Sequence, residues 1–176
     1  MTQYQLLLPN RRNRKKCSSA IFVLFCSNKS LKCLEAIVNN QLISVNNWLC
    51  INKLSLNIDK SNFVTFHPPQ KKIISPLQLK INDNLLEEKK YIKYLGVIID
   101  CNLNWKQHIH ELSKKISKSI GILSKLRHFV PLNTLTQMYY SIIYPFLTYG
   151  IVAWGNTYVS NMTPLITLQK RAIRVI

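Results

Sequence analysis

A chain of 176 residues suffices for one domain with a core or for two small lobes, and two lobes suit it better. Lys and Arg number 24 against 7 Asp and Glu, a formal charge of +17 that points to a polyanionic partner, nucleic acid ahead of an anionic membrane surface. The five cysteines, Cys17, Cys26, Cys33, Cys50 and Cys101, are odd in number and form no Cys-x-x-Cys pair, so they read as small buried hydrophobes of a reducing compartment, not as a disulfide framework.

Residues 1–19 are polar and basic without periodicity and read as disordered or unrelated to the rest of the chain. Their apolar patch Leu6-Leu-Leu8 precedes the positive run Arg11-Arg-Asn-Arg-Lys-Lys16, the reverse of a secretory signal. An intracellular setting is expected, nuclear or cytoplasmic, with the basic run as a candidate nuclear address. Ile21–Phe25 has the composition of a buried strand, and Ser27 or Asn28 is placed to cap the helix after it.

From Leu31 the apolar positions Leu31, Leu34, Val38, Leu42, Val45 and Leu49 recur every three or four residues, one stripe on a long helix that runs out near Asn52. Ile37 and Trp48 widen that stripe. Asn62–His67 is extended and stops at Pro68-Pro69. Leu77–Ile81, the turn set Asn82-Asp-Asn84 and Tyr91–Asp100 read as antiparallel strands with tight connections. Gly96, in the middle of the strongest strand, marks a bulge or a place where another backbone comes close.

Asn104, with Gln107 three residues on, opens a helix from Trp105 to His128. Its apolar stripe is Trp105, Ile109, Leu112, Ile116, Ile120 and Leu123, while Lys106, His110, Lys114, Lys118 and Lys125 fall on the adjoining and opposite sectors. Like charges four residues apart weaken a helix slightly, so local stability does not account for this basic row. A nucleic-acid backbone accounts for it better than a merely solvated face. His108-x-His110 is the only tight His pair, with no cysteine at zinc spacing.

Pro131 ends the helix, and from Phe129 to Gln169 no side chain is formally charged. Met138–Trp154 is apolar and aromatic, yet Pro145, Gly150 and its tyrosines dilute it, so it reads as two buried helical segments meeting at Pro145 and not as a membrane span. Thr163-Pro164 supplies an N-cap and a first-turn proline for a last helix with Leu165, Leu168, Ala172 and Ile176 on one face. That helix has no C-cap, and the natural protein is expected to continue past it.

Four segments now stand in a telling order: Asn52-Lys-Leu-Ser-Leu-Asn57 with Lys60-Ser61, Lys93-Tyr-Leu-Gly-Val-Ile-Ile-Asp100, Asn104-Trp-Lys-Gln-His-Ile109, and Tyr144-Pro-Phe-Leu-Thr-Tyr149 with Trp154-Gly155. Together they resemble reverse transcriptases of LINE-type, jockey-like non-LTR retrotransposons, over roughly residues 23–176. The resemblance implies an α+β chain in three parts. Residues 1–19 stand apart, 20–100 form a truncated polymerase palm remnant of antiparallel strands plus one long helix, and 101–176 form a helical thumb.

It also implies roles. Tyr94, Leu95 and Gly96 would form the hairpin that holds the primer end, with bare backbone at Gly96 letting a strand approach, and Lys106, Lys114, Lys118 and Lys125 would lie along primer–template phosphates. Lys60 would contact a nucleotide phosphate or give a proton to leaving pyrophosphate in a complete enzyme, with Ser61 where threonine is usual. Family members carry an aromatic-Ala-Asp-Asp turn before the strand matched by Val23-Leu-Phe-Cys-Ser-Asn28, and its aspartates would fall at Ala20 and Ile21, where neither stands.

Glu35, Asp59, Asp83, Glu87, Glu88, Asp100 and Glu111 are scattered, with Glu87-Glu88 reading as solvated neighbours in a loop. The expectation is therefore a reverse-transcriptase fragment without catalytic or metal residues of its own, with Mg²⁺ implied only for the complete enzyme. Its partners would be an RNA/DNA primer–template duplex and the missing N-terminal part of the polymerase, with no membrane. A non-enzymatic basic nucleic-acid-binding protein is the alternative, and a membrane-associated protein the third reading. A palm lacking its first strands would also leave an open sheet edge prone to aggregation.

Overall fold

The computed structural model describes residues 4–7, 23–54, 58, 61–71, 77–82 and 84–176. The chain forms two compact units, Met1–Leu103 and Asn104–Ile176.

In the first unit the strands are β1 (Tyr4–Leu7), β2 (Phe25–Asn28), β3 (Asn62–Phe66), β4 (Lys80–Ile81), β5 (Asn84–Leu85), β6 (Glu87–Glu88), β7 (Tyr91–Tyr94) and β8 (Val97–Asp100), with one helix, α1 (Leu31–Ile51). A four-stranded sheet has the order β2-β1-β3-β6, and β4-β5 and β7-β8 are separate two-stranded ribbons. The first correction lies at the N-terminus. Tyr4–Leu7 is not irregular: it pairs antiparallel with β2 on one side, Leu6 opposite Cys26, and with β3 on the other, Leu6 opposite Thr65. The backbone groups of β2 and β3 that face each other across this gap need partners, and β1 supplies them, which leaves β2 and β6 as the edge strands of the sheet.

β3 is buried on both faces, because alternate side chains of a strand point opposite ways. Phe63 joins Leu34, Val38, Leu42, Leu79 and Leu86 in one cluster, while Val64 and Phe66 pack with Ile92 in another. The buried stripe of α1 is Leu34, Val38, Leu42 and Leu49, at the spacing the sequence announces. It is narrower than expected: Ile37 and Trp48 are exposed, and so are Cys33 and Cys50, whereas Cys26 is buried. An amphipathic helix buries only the sector that meets its partner, and these four residues lie outside it.

Asn28 accepts the Ser30 N–H through Oδ1 at 3.1 Å, which leaves Ser30, in extended conformation, as the N-cap of α1. Asn39 fastens α1 to β4 in the manner of a strand partner, donating from Nδ2 to Gln78 O at 3.2 Å and accepting the Lys80 N–H at 3.1 Å. Asn46 and Asn82 exchange side-chain hydrogen bonds of 2.9 and 3.2 Å further along.

The second unit holds α2 (Lys106–Leu126), α3 (Leu132–Met138), a π-helical turn (Tyr139–Ile143), α4 (Tyr144–Thr148), α5 (Ile151–Trp154) and α6 (Val159–Val175). The π turn precedes Pro145, where Tyr144 N–H reaches back to Tyr139 O. Pro145 lacks an N–H for Ser141 O and its ring crowds that carbonyl, and the wider turn makes room for it. Thr163-Pro164 does not open the last helix, which starts more than a turn earlier and carries Pro164 inside it. That earlier start is tied down by Asn161, whose Nδ2 donates to Asn104 O at 3.1 Å, and by Thr157, whose Oγ1 donates to the same oxygen at 3.0 Å. Among the described residues no helix is long and apolar enough to cross a membrane, and Met138–Trp154 is divided among short helical pieces.

Candidate nucleic-acid interface

Two exposed surfaces carry the predicted site residues, one in each unit. In the first, Tyr91–Tyr94 and Val97–Asp100 pair antiparallel with Tyr94 opposite Val97, leaving Leu95 and Gly96 as a two-residue turn. Gly96 is therefore not inside a strand. Both turn residues have positive φ, 44° at Leu95 and 89° at Gly96, the pattern of a type I′ turn. Glycine enters that conformation freely; leucine does not, and holding it there costs about 1–2 kcal/mol. Leu95 is nonetheless 61% exposed, so no buried packing offsets its strain.

Behind this tip the ribbon is firmly seated. Ile92 is buried, and Tyr94 and Ile99 pack against the Val64–Phe66 cluster. His67 N–H donates to Cys101 O at 3.1 Å, and Asn102 Nδ2 donates to His67 O at 3.0 Å, tying the base of the ribbon to the end of β3. A strained apolar residue is thus presented at the tip of an anchored hairpin.

In the second unit, Lys106, His110, Lys114, Lys118 and Lys125 are all exposed on α2, while Ile109, Leu112, Ile116, Ile120 and Leu123 are buried on its other side. Asn104 takes part in the helix start as an acceptor for the Lys106 N–H at 3.2 Å, but Trp105, in left-handed conformation at φ 61°, is the N-cap. One lysine is locally compensated: Lys114 Nζ lies 3.0 Å from Glu111 Oε1, which holds the Glu111 carboxyl below its usual range through the hydrogen bond and charge of Lys114. Lys115 turns away from the row, with Nζ 5.6 Å from the centre of the Phe146 ring.

The apolar side of α2 packs on residues that the periodicity of the basic row does not reveal. His108 is buried on the apolar side of α2, edge-on to the buried Trp154 ring at 5.5 Å between centroids. Burial, with Lys115 adding to it, pushes the His108 imidazole below its ordinary pKa. Trp154 Nε1 donates to Tyr149 O at 2.9 Å, and Gly155 follows in a space with no room for a side chain, since a Cβ would lie 2.5 Å from Ile151 O. The helical wheel does place His108 beside Leu112, so its burial was open to the periodicity argument.

The described carboxylates are dispersed over separate elements. Among the described residues no group of three His, Cys, Asp or Glu side chains is close enough to hold a metal. Glu87 and Glu88 lie in a strand, not a loop; Glu88 accepts from Thr65 Oγ1 at 2.7 Å, and Glu87 pairs with Lys89 at 3.2 Å. Lys60, Asp59 and Asp83, like Ala20 and Ile21, lie outside the described residues.

Comparison with known proteins gives the class first: the chain is similar to RNA-directed DNA polymerases of the jockey, X-element and BS non-LTR retrotransposons. In particular, it is 29% identical over 133 residues to the RNA-directed DNA polymerase from mobile element jockey of Drosophila funebris, a match covering 73% of this chain and 14% of that protein. The jockey polymerase of Drosophila melanogaster is 24% identical over 150 residues, 84% of this chain and 16% of its own length. The probable RNA-directed DNA polymerase from transposon X-element of the same fly is 27% identical over 133 residues, 73% and 14%. The chain spans about one seventh of the length of the curated relatives it matches. No family model matches it, and no solved structure does.

Proposed function

We propose that this chain is the palm-end and thumb part of a non-LTR retrotransposon reverse transcriptase, binding primer–template duplex through the basic face of α2 and inactive in polymerisation by itself. The observation that carries the binding is the row of exposed cations on α2, backed by a formal charge of +17 on the whole chain. Phosphate contacts from such a row position a duplex without reading its sequence. Tyr94, Leu95 and Gly96 at the β7-β8 tip meet the primer strand in this reading, and Leu95 supplies an apolar edge that a sugar or base can rest on.

What supports inactivity is the dispersal of the described carboxylates, since nucleotidyl transfer by two metal ions needs carboxylates that hold both. The purified chain with a primed RNA template, Mg²⁺ and deoxynucleotides is expected to bind the template with an affinity that falls steeply with salt, and to extend nothing. Extension would refute the inactivity; binding indifferent to salt would refute the basic face.

The excess of positive charge also favours a second reading, a non-enzymatic nucleic-acid-binding protein derived from such an element. Supplying the N-terminal part of a jockey-type polymerase in trans separates the two. Recovered extension supports the fragment of a polymerase, and binding without recovery supports the stand-alone binder.

A further inference from the structure

Gly121 stands in the interior of α2, where glycine is a poor choice: it weakens a helix relative to alanine through backbone entropy. Usually a neighbour explains such a residue. Gly155 has one in Ile151 O, but a Cβ added at Gly121 meets nothing within 4 Å. No packing inside the unit uses the missing side chain.

What surrounds Gly121 is the basic face. At helical spacing its surface neighbours are Ser117, Lys118, Ser124 and Lys125, all exposed, and Lys114 is one turn further back on the same face. Two short hydroxyl side chains and two long cationic ones thus border a patch of nearly bare helix backbone. Any side chain at 121 would stand in the path of a strand drawn in by the lysines.

We propose that Gly121 is the point of closest approach of a nucleic-acid strand on α2. The phosphodiester backbone crosses the helix at Gly121, Ser117 and Ser124 donate hydroxyl hydrogen bonds to its oxygens, and Lys118 and Lys125 supply the counter-charge. This rests on the duplex-binding reading above and adds a positioning residue that carries no charge.

The test measures full-chain binding to a fluorescently labelled RNA–DNA hybrid duplex across a salt series, for the wild type, Gly121→Ala and Gly121→Gln, with thermal melts of each. Both variants are expected to melt higher than the wild type, since alanine and glutamine are better helix formers. The Gln variant is expected to bind about tenfold more weakly, equivalent to about 1.4 kcal/mol, with Ala between it and the wild type. The slope of log affinity against log salt should stay unchanged, because every lysine is retained. Variants that melt higher yet bind as tightly as the wild type would overturn the proposal. Wild-type protein that does not bind the duplex would overturn the underlying reading, and poly-glutamate competing as well as the duplex would move the face to an acidic protein partner. Should Gln disturb the helix, the Ala variant alone decides, as it adds one methyl group in open space.

Discussion

Replacing Lys106, Lys118 and Lys125 together with alanine isolates the electrostatic contribution of the α2 face. All three are exposed, whereas Lys114 is omitted because Glu111 sits 3.0 Å from its ammonium group. Each lysine that neutralises a duplex phosphate contributes about 0.9 to the slope of log affinity against log salt, so three contribute about 2.7. Between 50 and 200 mM salt the triple variant should therefore lose about 40-fold less affinity than the wild type. The assay is equilibrium binding to an RNA–DNA hybrid at several salt concentrations, repeated with an unrelated sequence, which should give the same change. Helix stability should not fall, since no packing is removed and a like-charge neighbour of Lys114 four residues on is lost. Glu111→Gln serves as the opposite perturbation: it frees Lys114 and should steepen the slope. A triple variant with the wild-type slope would refute the reasoning, because the cations would then face solvent only.

Three further predictions address the scaffold. Gly155→Ala places a methyl group 2.5 Å from the Ile151 carbonyl oxygen and should cost about 1–3 kcal/mol in a chemical denaturation experiment; an unchanged midpoint would mean the turn gives way without cost. Leu95→Gly relieves strain of about 1–2 kcal/mol and adds glycine's entropic penalty of about 0.5–1 kcal/mol, for a net gain in stability of about 0–1.5 kcal/mol. A loss of stability on that change would show that the exposed leucine packs. His108, held below its ordinary pKa by burial and then by Lys115, binds a proton more readily in the unfolded chain than in the folded one. Its contribution is fully present above the unfolded value of about 6.5 and is lost as pH falls from there toward the lowered folded pKa. Melting temperature should thus drop between pH 7.5 and pH 5.5, and His108→Phe should remove part of that dependence. Identical pH profiles for the two proteins would point to other groups.

The parts legible in the chain were those governed by short-range repetition. α1 runs from Leu31 to Ile51 and β3 from Asn62 to Phe66, close to where apolar spacing places them, because a helix or strand facing a core must repeat its buried residues at the backbone's own period. The basic row on α2 was readable by the same wheel that predicts its buried stripe. Misreadings arose where a local preference met a distant partner. Thr163-Pro164 looks like a helix start, yet hydrogen bonds from Thr157 and Asn161 to Asn104 O hold helix well before it. Gly96 looks like a flaw in one strand, yet cross-strand pairing of Tyr94 with Val97 makes it half of a turn.

Composition and periodicity alone determined the strong positive charge that favours a polyanionic partner, the two long helices, and which faces of them carry charge. The helices and their faces depend on residues within a few positions of one another, and the charge on a simple sum. Only the tertiary structure decided that β1 fills the gap between β2 and β3, that Trp154 is the ring His108 meets, and that Gly121 has open space where Gly155 has none. Those facts depend on what chain folding brings together from far apart in sequence, which no local pattern encodes.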